Sequence, residues 1–197
     1  FDECAVPPFS TYANSWGKLL HSENLFLLHV GVLALAGERR DPKTAGWVLR
    51  TISIVTILTY VLAGVTKLRN GGAGWLTGEA LGGWLAWDAL RKIELGSTAS
   101  PLAPFVASHP ALLQMLAIYT LIVELGAPVA LVSPRTGRVW AALAWTFHAG
   151  ILATMWIGFF YPLSGVALLS LLPAEKISEW SERARRRRVD AGSKAPS

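Results

Sequence analysis

Five ionisable residues stand inside or beside long apolar stretches of this 197-residue chain: His29, Lys67, Glu79, Glu124 and His148. Charged groups at membrane depth are costly, so they turn toward a bundle interior or a polar cavity. Lys67 has the clearest chemistry. Partial withdrawal from water favours a lysine's neutral form, and neutral lysine is a capable general base. The plainer alternative is a snorkelling lysine at a helix end. Counting ~1.5 Å per residue puts Glu124 about 12 Å and His148 about 15 Å from the inner ends of their helices. That count pairs Glu124 with His148 and leaves each open to a structural, hydrogen-bonding role or a proton-linked one. It places Lys67 at the outer end of its own helix, too far from Glu124 for contact, with His29 as the better neighbour. His21 and His109 fall at helix ends, where interfacial water suffices.

Other chemistries find little purchase. Cys4 is the only cysteine, so no intrachain disulfide or cysteine-based metal site can form. There is no HExxH, no EF-hand pattern and no Cys/His cluster, and no metal is expected. The glycines Gly71, Gly72 and Gly74 lack the following Lys-Ser/Thr and the strand of a phosphate loop, and read as a turn.

The elements that must hold these residues are apolar helices. Hydrophobic residues make up 52% of the chain and charged ones 16%, against about 25% charged in soluble domains. Mean hydropathy is +0.41. The expected fold is all-α: an integral membrane helical bundle of four or five transmembrane helices of ~20 residues each, plus an interfacial helix. Helices are expected over 18–36, 46–68 and 110–132, the last kinked at Pro128. The apolar stretch 139–172 is too long for one crossing and should break near Gly158 to Pro162, giving two passes or a re-entrant segment. Between them, 75–91 carries Trp75, Trp84 and Trp87 with scattered charge. It reads as a helix in the interface or over the bundle mouth, with Trp75 and Glu79 at the rim of any substrate entrance.

Charge sets the orientation. Arg39, Arg40 and Lys43 lie on one side, Arg135 and Arg138 return to it, and the tail carries Arg183, Arg185, Arg186, Arg187 and Arg188. The bias toward cytoplasmic basic residues puts this end inside a multi-pass cell-membrane protein and Lys67 at the outer face. Residues 1–173 read as the membrane domain and 174–197 as a basic, partly disordered cytoplasmic tail. The tail attracts anionic lipid rather than nucleic acid. Phe1 reads as an internal start without a signal peptide, with one or two earlier helices expected before it.

The run from Tyr60 through Ala63, Gly64, Lys67 and Leu68, followed by Trp75 and Gly78, resembles the horizontally transferred transmembrane (HTTM) domain. This domain is related to the membrane part of vitamin K-dependent gamma-carboxylase. Glu124 to Pro128 before a short arginine-bearing loop, and Phe147-His148 leading to Met155, Gly158, Phe159 and Phe160, resemble its later helices. The resemblance covers about residues 20–172. It implies that Lys67 is the base that deprotonates a quinol, assisted by His148 and His29. It also suggests a quinone as the lipid-soluble substrate or cofactor, and an extracytoplasmic active site. The chain has Thr66-Lys67 where the carboxylase has two lysines, and it lacks the large lumenal domain that recruits protein substrates. A quinone-dependent oxidoreductase or carboxylase-like enzyme is therefore expected, without protein gamma-carboxylation. The competing class is a non-catalytic membrane subunit, or an accessory protein for peptide maturation or immunity, that ties helices through Glu124 and His148 and docks a membrane partner. A transporter is disfavoured for want of repeat symmetry.

Overall fold

The computed structural model describes residues 24–38 and 41–172. The basic loop at Arg39 and Arg40 and the tail 174–197 lie outside the described residues. Within them the chain is helical, without strands. Helix α1 (Asn24–Ala36) is short and apolar. Helix α2 (Pro42–Gly71) is opened by Asp41, whose carboxylate accepts from the Thr44 amide at 3.0 Å and the Thr44 hydroxyl at 2.6 Å. The Thr44 hydroxyl, and then its amide, hold the Asp41 carboxyl below the usual carboxylate range. Pro42 fits the first turn because no carbonyl there needs its missing N–H. With 30 residues α2 runs for ~45 Å. It is the one helix among the described residues long and apolar enough to cross a membrane.

Gly72 closes α2, and the chain bends through the single turn α3 (Gly74–Thr77) and Gly78 into α4 (Glu79–Glu94). α4 lies over the bundle end. Its Leu85 is buried with Leu113 in the first turn of α6 (Pro110–Leu125) and with Val106 of α5 (Leu102–Ala107), and Met155 packs on the same group. Trp84 and Trp87 face outward. This Trp-rich segment is helical, as expected, and packs on the ends of α6 and α7 (Pro134–Met155). Polar ties fasten it to the C-terminus of α7, where carbonyls lack helical partners. Lys92 bonds to the Met155 carbonyl and to Asp88, and Ser100 donates to the Ala153 carbonyl at 2.6 Å.

The expected kinked helix over 110–132 is corrected. The α-helix stops at Leu125, and Pro128 sits instead in a separate 3-10 segment, Ala127–Leu131. Proline lacks the N–H that an α-helix would need there, and the tighter 3-10 turns carry the chain down α2. Ser133 and Thr136 then form a reciprocal capping box that starts α7.

The break expected near Gly158 comes slightly earlier. α7 ends at Met155, with Trp156 in the left-handed region at φ +49°. A second long helix does not follow. The chain returns as α8 (Phe160–Leu163) and the 3-10 segment Val166–Leu171. This return reaches back to the start of α7, since the Leu171 carbonyl lies 3.5 Å from where a Cβ on Gly137 would stand. Ser53 meets Ser170 at 3.0 Å on the way. Out and back, 139–172 thus has both ends at one end of the bundle.

The core where α2, α6, α7 and the 3-10 segments meet pairs aromatic bulk with small residues. Tyr60 and Trp140 pack edge to face at 4.8 Å, and the Trp140 indole donates to the Val123 carbonyl at 2.9 Å. Ala127, Ala130, Ala141 and Ala144 let the backbones approach closely.

Candidate functional site

Tyr60, Gly64 and Lys67 recur at i, i+4 and i+7, so they share one face of α2. That face meets the end of α6. Gly64 makes the approach feasible: a Cβ there would lie 2.8 Å from Leu125 Cδ2 and 3.0 Å from Glu124 Cβ. One turn further on, Lys67 forms a direct salt bridge to Glu124 Oε1. Their side chains are 25% and 3% exposed, so the carboxylate is buried and the ammonium stands at an opening. The rings of Trp75 and Phe147 lie 5.4 Å and 5.6 Å from the ammonium, within cation–π range.

This contact overturns the expectation that Lys67 and Glu124 are too far apart. The depth count took 110–132 as one helix and set helix ends level. The α-helix instead ends just past Glu124, and α6 is displaced along α2 toward its C-terminal end. The expected neighbour, His29, is not beside Lys67. It is buried against Thr56, three turns earlier on α2, at 3.0 Å, and its other ring nitrogen meets the Tyr161 hydroxyl at 2.6 Å. Nor is Glu124 hydrogen-bonded to His148. The His148 Nε2 is held by the Tyr60 hydroxyl at 2.7 Å, and among the described residues the buried Nδ1 has no partner. Glu124 Oε2 is likewise buried and unpartnered.

Both groups nonetheless line one cavity. It encloses about 200 Å³ between Tyr60, Lys67, Glu124, Phe147, His148 and Phe159. A larger neighbouring cavity of about 360 Å³ shares Lys67, Phe147 and Ile151 with it, and is walled by Asn70, Trp75, Trp84 and Thr120. Trp75 lines the larger cavity beside Lys67. Glu79 does not: it is exposed in the first turn of α4 and faces neither cavity. Lys67 stands where the two chambers join.

The arrangement offers an ammonium, a buried carboxylate, a phenol and an imidazole along a predominantly apolar wall. Such a site suits a mainly apolar ligand bearing a few polar atoms. The partly exposed Lys67 ammonium can meet a hydroxyl or carbonyl group at the opening, whereas Glu124 Oε2 and His148 Nδ1 are buried. Among the described residues, no group of three or more His, Cys, Asp or Glu side chains could hold a metal ion. Tyr60 is the polar cavity residue that residue counting did not single out, although its seven-residue spacing from Lys67 was a usable signal.

Tyr60→Phe tests the Tyr60–His148 contact. It should cost about 1–3 kcal/mol, because the buried imidazole then loses the one hydrogen bond it makes among the described residues. Thr154→Ala, which removes an exposed hydroxyl bonded within its own helix, should be near neutral. Equal unfolding temperatures for the two variants would disprove the buried contact.

Compared with known proteins, the chain matches no family model, no curated protein and no solved structure.

Proposed function

We propose that this chain is a multi-pass membrane protein of the HTTM type it resembles, and that it binds a lipid-soluble, quinone-like substrate for acid–base chemistry at Lys67. The observation that carries the reading is the Lys67–Glu124 pair at the junction of two aromatic-lined cavities, with His148 on the same wall. A lysine in contact with a carboxylate becomes a base once its proton has passed to that carboxylate. This leaves a neutral amine and a carboxylic acid and conserves charge. Low polarity favours the exchange, since it removes two charges from a poorly solvated place. The amine can then take the proton of a substrate hydroxyl.

Apolar surface supports the membrane part of the reading. Leu27, Leu33 and Leu35 on α1, Leu58 and Leu62 on α2, Met115 and Ile122 on α6, and Val139 on α7 are all exposed. Apolar cover on so many helices is what a lipid surround accepts and water does not. In this arrangement the Arg50, Arg135 and Arg138 end faces the cytoplasm, with the Arg-rich tail, and Lys67 faces outward.

Quinol oxidation in membranes carrying the protein is the test. Loss of a general base should lower turnover by about 10²-fold or more. Lys67→Met and the double variant Lys67→Met/Glu124→Leu should both lose activity, and the double variant should do so with normal membrane insertion. Unchanged turnover in an inserted variant would sink the catalytic reading. It would favour the second one, a non-catalytic subunit, for which the observation is that the same pair directly ties α2 to α6.

A further inference from the structure

At the far end of α2 from Lys67, a cavity of about 760 Å³ opens between the first half of α2, the loop from Ala130 to Pro134, and the returning segment Ser170 to Leu172. Arg50 is its charged wall. It lies eight residues beyond Pro42, ~12 Å along the helix. No acidic residue lines the cavity, and among the described residues Arg50 has no ion-pair partner. The other charges on the elements packed here are mainly cationic: Lys43 on α2, and Arg135 and Arg138 on α7. The nearby acid Asp41 already accepts both of Thr44's donors. The floor is polar, with Ser53 and Ser170 in hydroxyl contact, while exposed Leu49, Ile54, Leu131 and Val132 form apolar sides.

We infer that this cavity is a binding site for an anionic phospholipid, with Arg50 holding the headgroup phosphate and an acyl chain lying along the four apolar side chains. The inference rests on the membrane reading above, but not on any activity at Lys67. An arginine two turns into an apolar helix needs an anion, and its planar fork matches two phosphate oxygens. The surrounding cations disfavour a neutral headgroup. The apolar sides give the site a use for a chain that a free phosphate lacks. The site is built from described residues and needs none of the arginines at 183–188.

Native mass spectrometry of the full-length protein in detergent tests this, with phosphatidylglycerol, phosphatidylcholine or inorganic phosphate added in turn. The wild type should retain phosphatidylglycerol over phosphatidylcholine. Arg50→Gln should cut that retention by about tenfold, and Arg50→Lys should restore part of it by keeping the charge without the fork. Arg69→Gln, which removes one exposed charge at the other end of α2, should leave it unchanged. The tail is present throughout, so its contribution is common to all variants. Equal retention by wild type and Arg50→Gln would overturn the site. Displacement of the lipid by millimolar phosphate would overturn the lipid as its ligand. A protein that stays dispersed without detergent would refute the membrane reading itself, a distinct result from an Arg50 variant that changes nothing.

Discussion

Lys67→Met is expected to destabilise the protein by ~3 kcal/mol, at the lower end of the penalty for breaking a buried ion pair. For a chain of this size that corresponds to about 6–12 °C in unfolding midpoint. The cost comes from Glu124, whose side chain is 3% exposed and whose second oxygen is already unpartnered. Without the ammonium, neither oxygen has a donor. Glu124→Leu should cost less, because Lys67 keeps a quarter of its side chain exposed and can swing toward the opening. The double variant Lys67→Met/Glu124→Leu should recover most of the loss, since two apolar side chains of similar size replace the pair. Thermal unfolding in detergent measures all three. A coupling energy of ~1.5 kcal/mol or more is expected between two residues in direct contact. Strictly additive effects would mean that the two side chains do not meet. The cycle also separates the two functional readings, because the double variant restores the tie between helices without restoring the proton-transfer groups.

The helical class was legible because it depends on composition and local pattern. The apolar run marks α2 without any tertiary information, although its start was expected at Gly46 and lies at Pro42, because Asp41-Pro42 caps the helix rather than belonging only to the preceding turn. Trp156 was harder. Its left-handed backbone ends α7 before the glycine and proline at which a break was expected, and a tryptophan carries no signal for that conformation.

The site divides in the same way. That Lys67, Glu124, His148 and Trp75 merit attention was readable, since polar residues and a nearby tryptophan stand out against an apolar background, and the structure places all four along the two adjoining cavities. Pairing was not readable. Lys67 and Glu124 are 57 residues apart, and their contact depends on how far α6 is shifted along α2. No local pattern encodes that shift, although Gly64 marks where two backbones could come close. His29 illustrates the limit. Its partner Tyr161 is 132 residues away on a short returning helix that no periodicity announces. Glu79 was chosen for its charge near three tryptophans, but the first turn of a helix is also where an acidic residue complements the helix dipole in plain solvent.

Gly78→Ala should destabilise the protein by about 3–5 kcal/mol, from two separable causes. The first is conformational. Gly78 adopts φ +88°, where an L residue pays ~1–3 kcal/mol. The second is contact. A Cβ there would lie 2.6 Å from the Gln114 amide nitrogen and 2.8 Å from the Leu113 carbonyl carbon. These are backbone atoms in the first turns of α6, which cannot rotate aside as a side chain can. Gly165→Ala isolates the first cause, because Gly165 shares the left-handed conformation (φ +77°, ψ −11°) and has open space around it. It should lose only the conformational part. If the two variants unfold at the same temperature, Gly78 does not approach α6 closely. The consequence for the site follows from Trp75, three residues before Gly78 and buried against Ala117 and Leu121 of α6. Pushing the Gly78 bend away from α6 draws Trp75 off that surface and opens the wall beside Lys67. Gly78→Ala should therefore weaken binding of a quinone-like ligand, read as reduced quenching of tryptophan fluorescence, whereas Gly165→Ala should leave binding intact.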